Sequence, residues 1–410
     1  MKIPLTPAAL SIFLFASLAS AQYRANEKVS AATRLDFVYP LANQSPRKTP
    51  KDWLTADYDS KSQTYELFLP AKLDKSKPSP CIIFISPSDQ AVGYRSFAKV
   101  CRARGVILAS PHKAGNRCPI RQRVRIVLDV IDDVRRKHNI DPDRTYIGGF
   151  SGGARIACAI AFALPESFGG VIPICAGGDL RRESYLRHRV IDRLSVAHMT
   201  GTGDFNRGEV ELFRHGMLKE VGVRSRVWVV KGLGHGIPST TQLTAALKWL
   251  DEGAKKRQLL AKRYASTRLD RDKSPSREEF AKQLAADAKL RLKKPGTLHS
   301  GLMLLKGIYV RWQDLPTGLA AKQILLRYQQ SNQQWQKQDV AEQRNFLIAR
   351  ARALDAYATS KLPKQYEKQR PDMLKAAIQL WQLVIRDGQD IKATGLAKKR
   401  VPILKKRLGE

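Results

Sequence analysis

The sequence predicts an α/β protein: a mostly parallel sheet with helices on both faces, followed by a separate basic all-helical segment. Three observations predict it. Short apolar runs alternate with helix-length stretches between about residues 62 and 250. Beyond Gly253 there are no strand-like runs and no Cys, and Lys, Arg, Gln and Ala dominate. Just before the helix-like stretch Ala154–Ala163, Gly149-Phe150-Ser151-Gly152-Gly153 reads as a sharp strand-to-helix turn.

The elements follow in order. Thr64–Leu69 alternates and stops at Pro70. Cys81–Ile85 and Val106–Ala109 are short, continuous and apolar, as strands buried on both faces are. Arg121–His138 is an amphipathic helix, with Val124, Leu128, Ile131 and Val134 spaced by three and four. Tyr146-Ile147 forms the strand before the turn, and Ala154–Ala163 the helix after it. Val171–Cys175, Val196–Met199 and Val227–Val230 are further strands, and Thr241–Leu250 closes the series as a helix. Thr267–Ser276, charged and Pro-containing, reads as a linker. In the second half, Leu305, Ile308, Tyr309 and Trp312 trace a helical stripe, as do Leu347, Ala351 and Leu354, and Leu374, Ala377, Ile378 and Trp381. These stripes read as helix–helix core.

The chain has 410 residues, 43% of them apolar, which excludes a mainly disordered protein. Lys and Arg number 72 against 37 Asp and Glu, a formal net charge of +35, so an anionic contact is expected. Residues 251–410 hold 35 Lys and Arg against 16 Asp and Glu, an excess of 19. Lys2, the apolar run Ile12–Leu18 and Ala19-Ser20-Ala21 have the layout of a cleavable secretory leader over residues 1–21. The expected division is therefore leader 1–21, catalytic domain 22–253 and helical domain 254–410, with the mature chain secreted or periplasmic and without a membrane span. Five Cys in a chain this long are no disulfide scaffold; Cys101 and Cys118, flanking one strand, are the expected bridge if any forms.

The chemistry centres on Ser151. A serine hydroxyl is a poor nucleophile unless held exposed beside a base, and a tight turn flanked by glycines does this. His235, in Gly234-His235-Gly236, follows the strand Val227–Val230 and is the expected general base. Asp204, in Gly201-Thr202-Gly203-Asp204, follows the preceding strand and is the expected orienting acid. Glu209, Glu211 and Asp179 are its competitors. The order Ser…Asp…His differs from both common serine protease orders.

Residues 60–250 resemble an α/β-hydrolase of the esterase branch that includes polyhydroxybutyrate depolymerase-like, feruloyl and acetylxylan esterases. The resemblance rests on Ile140-Asp141-Pro142-Asp143-Arg144 through Gly153, on the Gly201–Asp204 loop and on the Gly234–Gly236 loop. It implies that Ser151 is the nucleophile, Asp204 the acid and His235 the base. In one place the chain departs from that family. Where a His-Gly pair usually follows the strand Cys81–Ile85, this chain has Ser86-Pro87-Ser88-Asp89. Pro87 has no N–H, so Ser88 beside Gly152 is the expected oxyanion-hole pair.

These readings make the chain an exported serine hydrolase of carboxylic esters, with no cofactor, no metal and no nucleic acid expected. An open cleft suits a polymeric or polysaccharide-linked ester, because only the short stretch Gly178–Ser195 is available as a lid. Arg181 and Arg182 in that stretch are candidate contacts to an acidic substrate, although a charge run there also reads as a solvated basic helix. The basic helical domain is expected to dock on an anionic polymer or envelope surface. The alternatives are a hydrolase-fold scaffold with impaired catalysis that binds polyanions, and a serine peptidase or acyltransferase using the same triad. Asp270-Arg271-Asp272-Lys273-Ser274 has a flavour of a calcium loop, but Pro275 and Ala281 stand where Gly and Glu are required; a capping box of Ser276 and Glu279 is the better reading.

Overall fold

The computed structural model describes residues 21–35 and 58–410, apart from 72, 75, 179, 181–183, 271, 332 and 363. Residues 1–20 of the expected leader lie outside the described residues. Eight strands form one sheet: β1 (Gln22–Lys28), β2 (Thr64–Leu69), β3 (Ser79–Ile85), β4 (Ile107–Pro111), β5 (Ile140–Phe150), β6 (Gly170–Ile174), β7 (Ser195–Gly201) and β8 (Arg224–Val230). Their order is β1-β2-β4-β3-β5-β6-β7-β8. The pairs β1–β2 and β2–β4 are antiparallel, and the rest are parallel.

The apolar runs become central strands because their side chains alternate into two cores. Cys81, Ile83 and Ile85 of β3 enter one, while Ile82 and Phe84 enter the other. On the first face lie α2 (Ile120–Lys137) and α3 (Gly152–Ala163), which follow α1 (Gly93–Arg104) in the chain. On the second lie α1 and, after α4 (Ser184–Arg193) and α5 (Gly216–Glu220), helix α6 (Thr240–Glu252). The strand β1 escapes the sequence reading because Gln22–Lys28 has no apolar alternation and is mostly exposed. It forms at the sheet edge by pairing with β2, Gln22 opposite Leu69.

The helical half comprises α7 (Ala254–Arg263), α8 (Arg277–Leu292), α9 (Pro295–Arg311), α10 (Pro316–Ser331), α11 (Gln333–Thr359), α12 (Lys364–Glu367), α13 (Arg370–Asp387) and α14 (Ile391–Leu408). Phe280 and Leu284 of α8, Leu302 and Leu305 of α9, and Trp312 just after it join the same buried cluster as α2 and α3. A separate cluster around Trp381, Leu374 and Leu404 ties α13 and α14 to α11. The expected stripes are the buried faces of α9, α11 and α13. No helix among the described residues is long and apolar enough to cross a membrane.

Three expectations are corrected. The segment Thr267–Ser276 is no free linker: Leu269 N–H donates to the Glu166 carbonyl at 2.9 Å, and Arg135 donates to the carbonyls of Asp270 and Lys273 at 2.7 and 3.0 Å. The capping box of Ser276 and Glu279 closes the start of α8. Cys101 and Cys118 form no bridge, since Cys101 is buried in the core on one face of the sheet and Cys118 packs against the core on the other. Within Ser184–Arg193, the described part of the basic stretch before β7, the arginines make no solvated face either. Arg189 forms a bidentate pair with Glu166 at 2.5 and 2.6 Å, and Arg193 pairs with Asp143, both side chains only 1% exposed. Guanidinium stems reach acids below the helix, so burial is bought by pairing and not prevented by charge.

Candidate active site

Ser151 sits between β5 and α3 with φ +53° and ψ −121°, a backbone that L residues rarely adopt. The turn is crowded from both sides. A Cβ at Gly153 would lie 2.1 Å from the carbonyl O of Ile85, and one at Gly149 would lie 2.4 Å from the carbonyl C of Gly153. Only glycine lets α3 start this close to β3 and β5. The Ser151 N–H donates to the carbonyl of Ile174 at 2.9 Å, which fastens the turn to the end of β6.

Asp204 and His235 meet across the ends of β7 and β8. His235 Nδ1–H donates to Asp204 Oδ1 at 2.8 Å, and the Asp204 side chain is fully buried. Asp204 also accepts from the Thr200 hydroxyl at 2.6 Å and from the Asn206 N–H at 3.0 Å. The loops carrying the pair are laced backbone to backbone. Gly203 N–H donates to Leu233 O at 2.9 Å, and a Cβ at Gly201 would lie 1.9 Å from that same oxygen. The imidazole is held between rings: Phe205 stacks on it at 3.9 Å, and Phe150, the residue before Ser151, lies at 4.9 Å. With Nδ1 committed to the carboxylate, Nε2 is the nitrogen left to take a proton.

The competing acids have other partners. Glu209, in a π-helical turn over Glu209–His215, accepts from Arg155 at 2.8 Å and from the Gly177 N–H at 3.3 Å. Glu211 pairs with Arg207 at 2.7 Å. Asp179, Arg181 and Arg182 lie outside the described residues.

Of the two expected oxyanion-hole amides, Gly152 opens α3, where N–H groups have no intrahelical acceptor. The Ser88 N–H donates to the Ser86 hydroxyl at 3.0 Å, and the two hydroxyls are 2.8 Å apart. Sequence reasoning passed over Asn116, whose side chain lies against Gly152: a Cβ there would come within 2.0 Å of Oδ1. Arg123 ties these parts together, donating to Asn116 Oδ1 and to the Ser86 carbonyl, each at 3.1 Å. Burial pushes the Arg123 guanidinium below its usual range. Thr200, Asn206, Phe205 and Asn116 were not legible because single polar or aromatic residues on loops carry no periodic signal.

Cys175 completes the surroundings at φ +55°, its Sγ donating to the Gly236 carbonyl at 3.2 Å. Burial first, and then the charge of Asp204, push its thiol up, so it stays protonated. Cys175, Asp204 and His235 offer three donor atoms within 4.8 Å of one another, but the hydrogen bonds already made account for their arrangement. One turn of α3 beyond Ser151, a cavity of about 460 Å³ is lined by Arg155, Glu209, Arg214, Tyr357, Tyr366 and Met373. Its far wall thus comes from the helical half.

No protein-family model matches the chain. A stretch of 51 residues is 35% identical to poly(3-hydroxyalkanoate) depolymerase C of Paucimonas lemoignei, covering 12% of this chain and 12% of that protein. Among solved structures, a thermostable esterase aligns with a TM-score of 0.38 at 21% identity, over 46% of this chain and 59% of that one. A fluorophosphonate-binding serine hydrolase of Staphylococcus aureus aligns with a TM-score of 0.41 at 14% identity, over 56% of this chain and 98% of that one.

Proposed function

We propose that the protein is an exported serine hydrolase of carboxylic esters that works through an acyl-enzyme on Ser151. The observation that carries this reading is the Asp204–His235 contact of 2.8 Å, with the His235 ring 4.9 Å from that of Phe150, the residue before a serine with positive φ. Ser151 Oγ attacks the ester carbonyl while His235 Nε2 accepts its proton. The imidazolium, stabilised by Asp204, returns that proton to the departing alcohol. Water then repeats the sequence on the acyl-serine and frees the acid. The Gly152 N–H is the amide that faces the developing oxyanion in this scheme. The cavity beyond Ser151 supports a substrate larger than a simple acetate, and the short depolymerase match is in keeping with a polymeric ester. Docking of the basic helical half on an anionic polymer or envelope surface belongs to the same proposal.

A second reading, a hydrolase-like scaffold with weak catalysis, is favoured by one observation: Pro87 has no N–H, and the Ser88 N–H is taken by Ser86. Labelling with a fluorophosphonate probe and mapping the tagged peptide separates the two. A tag on Ser151 that is lost in His235→Ala supports the esterase. An untagged, folded protein that binds polyanions in a salt-sensitive way supports the scaffold.

A further inference from the structure

Seven histidines occur in the whole chain, and two of them converge on one carboxylate away from Ser151. His188 lies on α4, His299 on α9 and Glu342 on α11. His188 Nε2 is 3.0 Å from Glu342 Oε2, and His299 Nδ1 is 3.0 Å from Glu342 Oε1. The two rings meet edge to face at 5.0 Å. One donor atom from each residue lies within 4.8 Å of the other two.

We propose that His188, His299 and Glu342 form a divalent transition-metal site of the zinc class, which fastens the helical half to helix α4. Zinc binds imidazole nitrogen and carboxylate oxygen at about 2.0–2.2 Å, which puts neighbouring donors on a tetrahedron about 3.3 Å apart. The two 3.0 Å separations run to different oxygens of Glu342, and one donor atom from each residue lies within 4.8 Å of the other two, so a closing movement of these side chains brings one nitrogen from each ring and one carboxylate oxygen to that spacing. Neutral imidazoles and one carboxylate suit zinc better than magnesium or calcium, which take oxygen donors. The His299 side chain is 3% exposed and held, whereas His188 and Glu342 are 15% and 35% exposed. That asymmetry leaves an entry path and room for a water as fourth ligand. Guanidiniums on the surrounding helices have partners of their own: Arg189 on Glu166, Arg291 on Asp192 at 2.6 Å, and Arg187 over the Phe346 ring at 4.0 Å and on Gln343 Oε1 at 3.4 Å. The three ligands come from three helices, one in the sheet half and two in the other, so the ion cross-links the halves. This site does not rest on the esterase reading.

The test uses the full chain without an affinity tag, stripped with a chelator and titrated with zinc by calorimetry, with cobalt absorption as a second probe. The expected result is one ion per chain, a tetrahedral cobalt spectrum and a melting temperature raised by zinc and restored by chelator. His188→Ala and Glu342→Gln should each weaken binding by about a hundredfold. Glu342→Gln keeps the side-chain size, so it carries the test if His188→Ala does not fold by circular dichroism. Absence of saturable binding overturns the assignment. So does binding that survives Glu342→Gln and disappears in His235→Ala, which would move the ion to Cys175, Asp204 and His235.

Discussion

Replacing Asp204 by Asn removes one negative charge from the candidate site and keeps the side chain's shape. The geometry says where the amide would sit. Its carbonyl can stay toward His235 Nδ1 and the Asn206 N–H, while its nitrogen turns to Thr200, whose hydroxyl can accept as well as donate. Folding stability should therefore change little, and the histidine tautomer should be kept. What disappears is the attraction between carboxylate and imidazolium as the proton arrives. For charges about 4 Å apart at an effective dielectric near 20, that attraction is about 4 kcal/mol. At about 1.4 kcal/mol per tenfold, kcat should fall about a thousandfold. Release of p-nitrophenol from a short-chain ester, with thermal unfolding as the control, measures it. A fall of less than about tenfold in a folded Asp204→Asn protein would refute the role given to this carboxylate.

Other expectations follow from the packing. Gly153→Ala should abolish probe labelling of Ser151 and lower stability by about 1–3 kcal/mol in urea melts, because its Cβ meets the Ile85 carbonyl; Gly216→Ala, with nothing within 4 Å, should be neutral or stabilising. Arg193→Met leaves Asp143 buried with Arg268 at 3.1 Å as its remaining side-chain partner, and should cost about 3 kcal/mol by the same melts; a cost under about 1 kcal/mol would show the pair to be dispensable. Burial pushes the Asp132 carboxyl up, but hydrogen bonds from Arg34 and the charges of Arg135 and Arg136 outweigh it and hold it below its usual value. A carboxyl lowered by folding stabilises above its unfolded pKa and loses that contribution as pH falls through the folded one. Asp132→Asn should thus destabilise at neutral pH, and the difference from wild type should shrink below about pH 4; a gap independent of pH would exclude the linkage.

The site was legible where chemistry imposes a local pattern. Ser151 was visible through its glycines, because a turn that crowds β3, β5 and α3 together admits no Cβ at Gly149 or Gly153. Asp204 and His235 were visible through their positions after apolar runs, since parallel strands bring their C-terminal loops to one edge. Ser88 stands out in the sequence only because Pro87 has no N–H, and the hydroxyl of Ser86 that engages its amide is a side-chain rotamer that no spacing reports. Asn116 and Arg123 acquire their roles only through contacts made far along the chain.

The sequence by itself determined the alternation of strands and helices and the stripes of the helical half, and it named the residues proposed as nucleophile, base and acid. Each of these is written at short range, in periods of two or 3.6 residues or in the residue types a tight turn tolerates. Only the tertiary structure decided that Gln22–Lys28 pairs as an edge strand, that Arg189 and Arg193 are buried, and that the segment before α8 is pinned to the sheet half. The same holds for the far wall of the cavity and for the meeting of His188, His299 and Glu342. Those outcomes depend on which distant groups come to lie opposite one another, since a buried charge or an unpaired backbone group is tolerable only once its partner is in place.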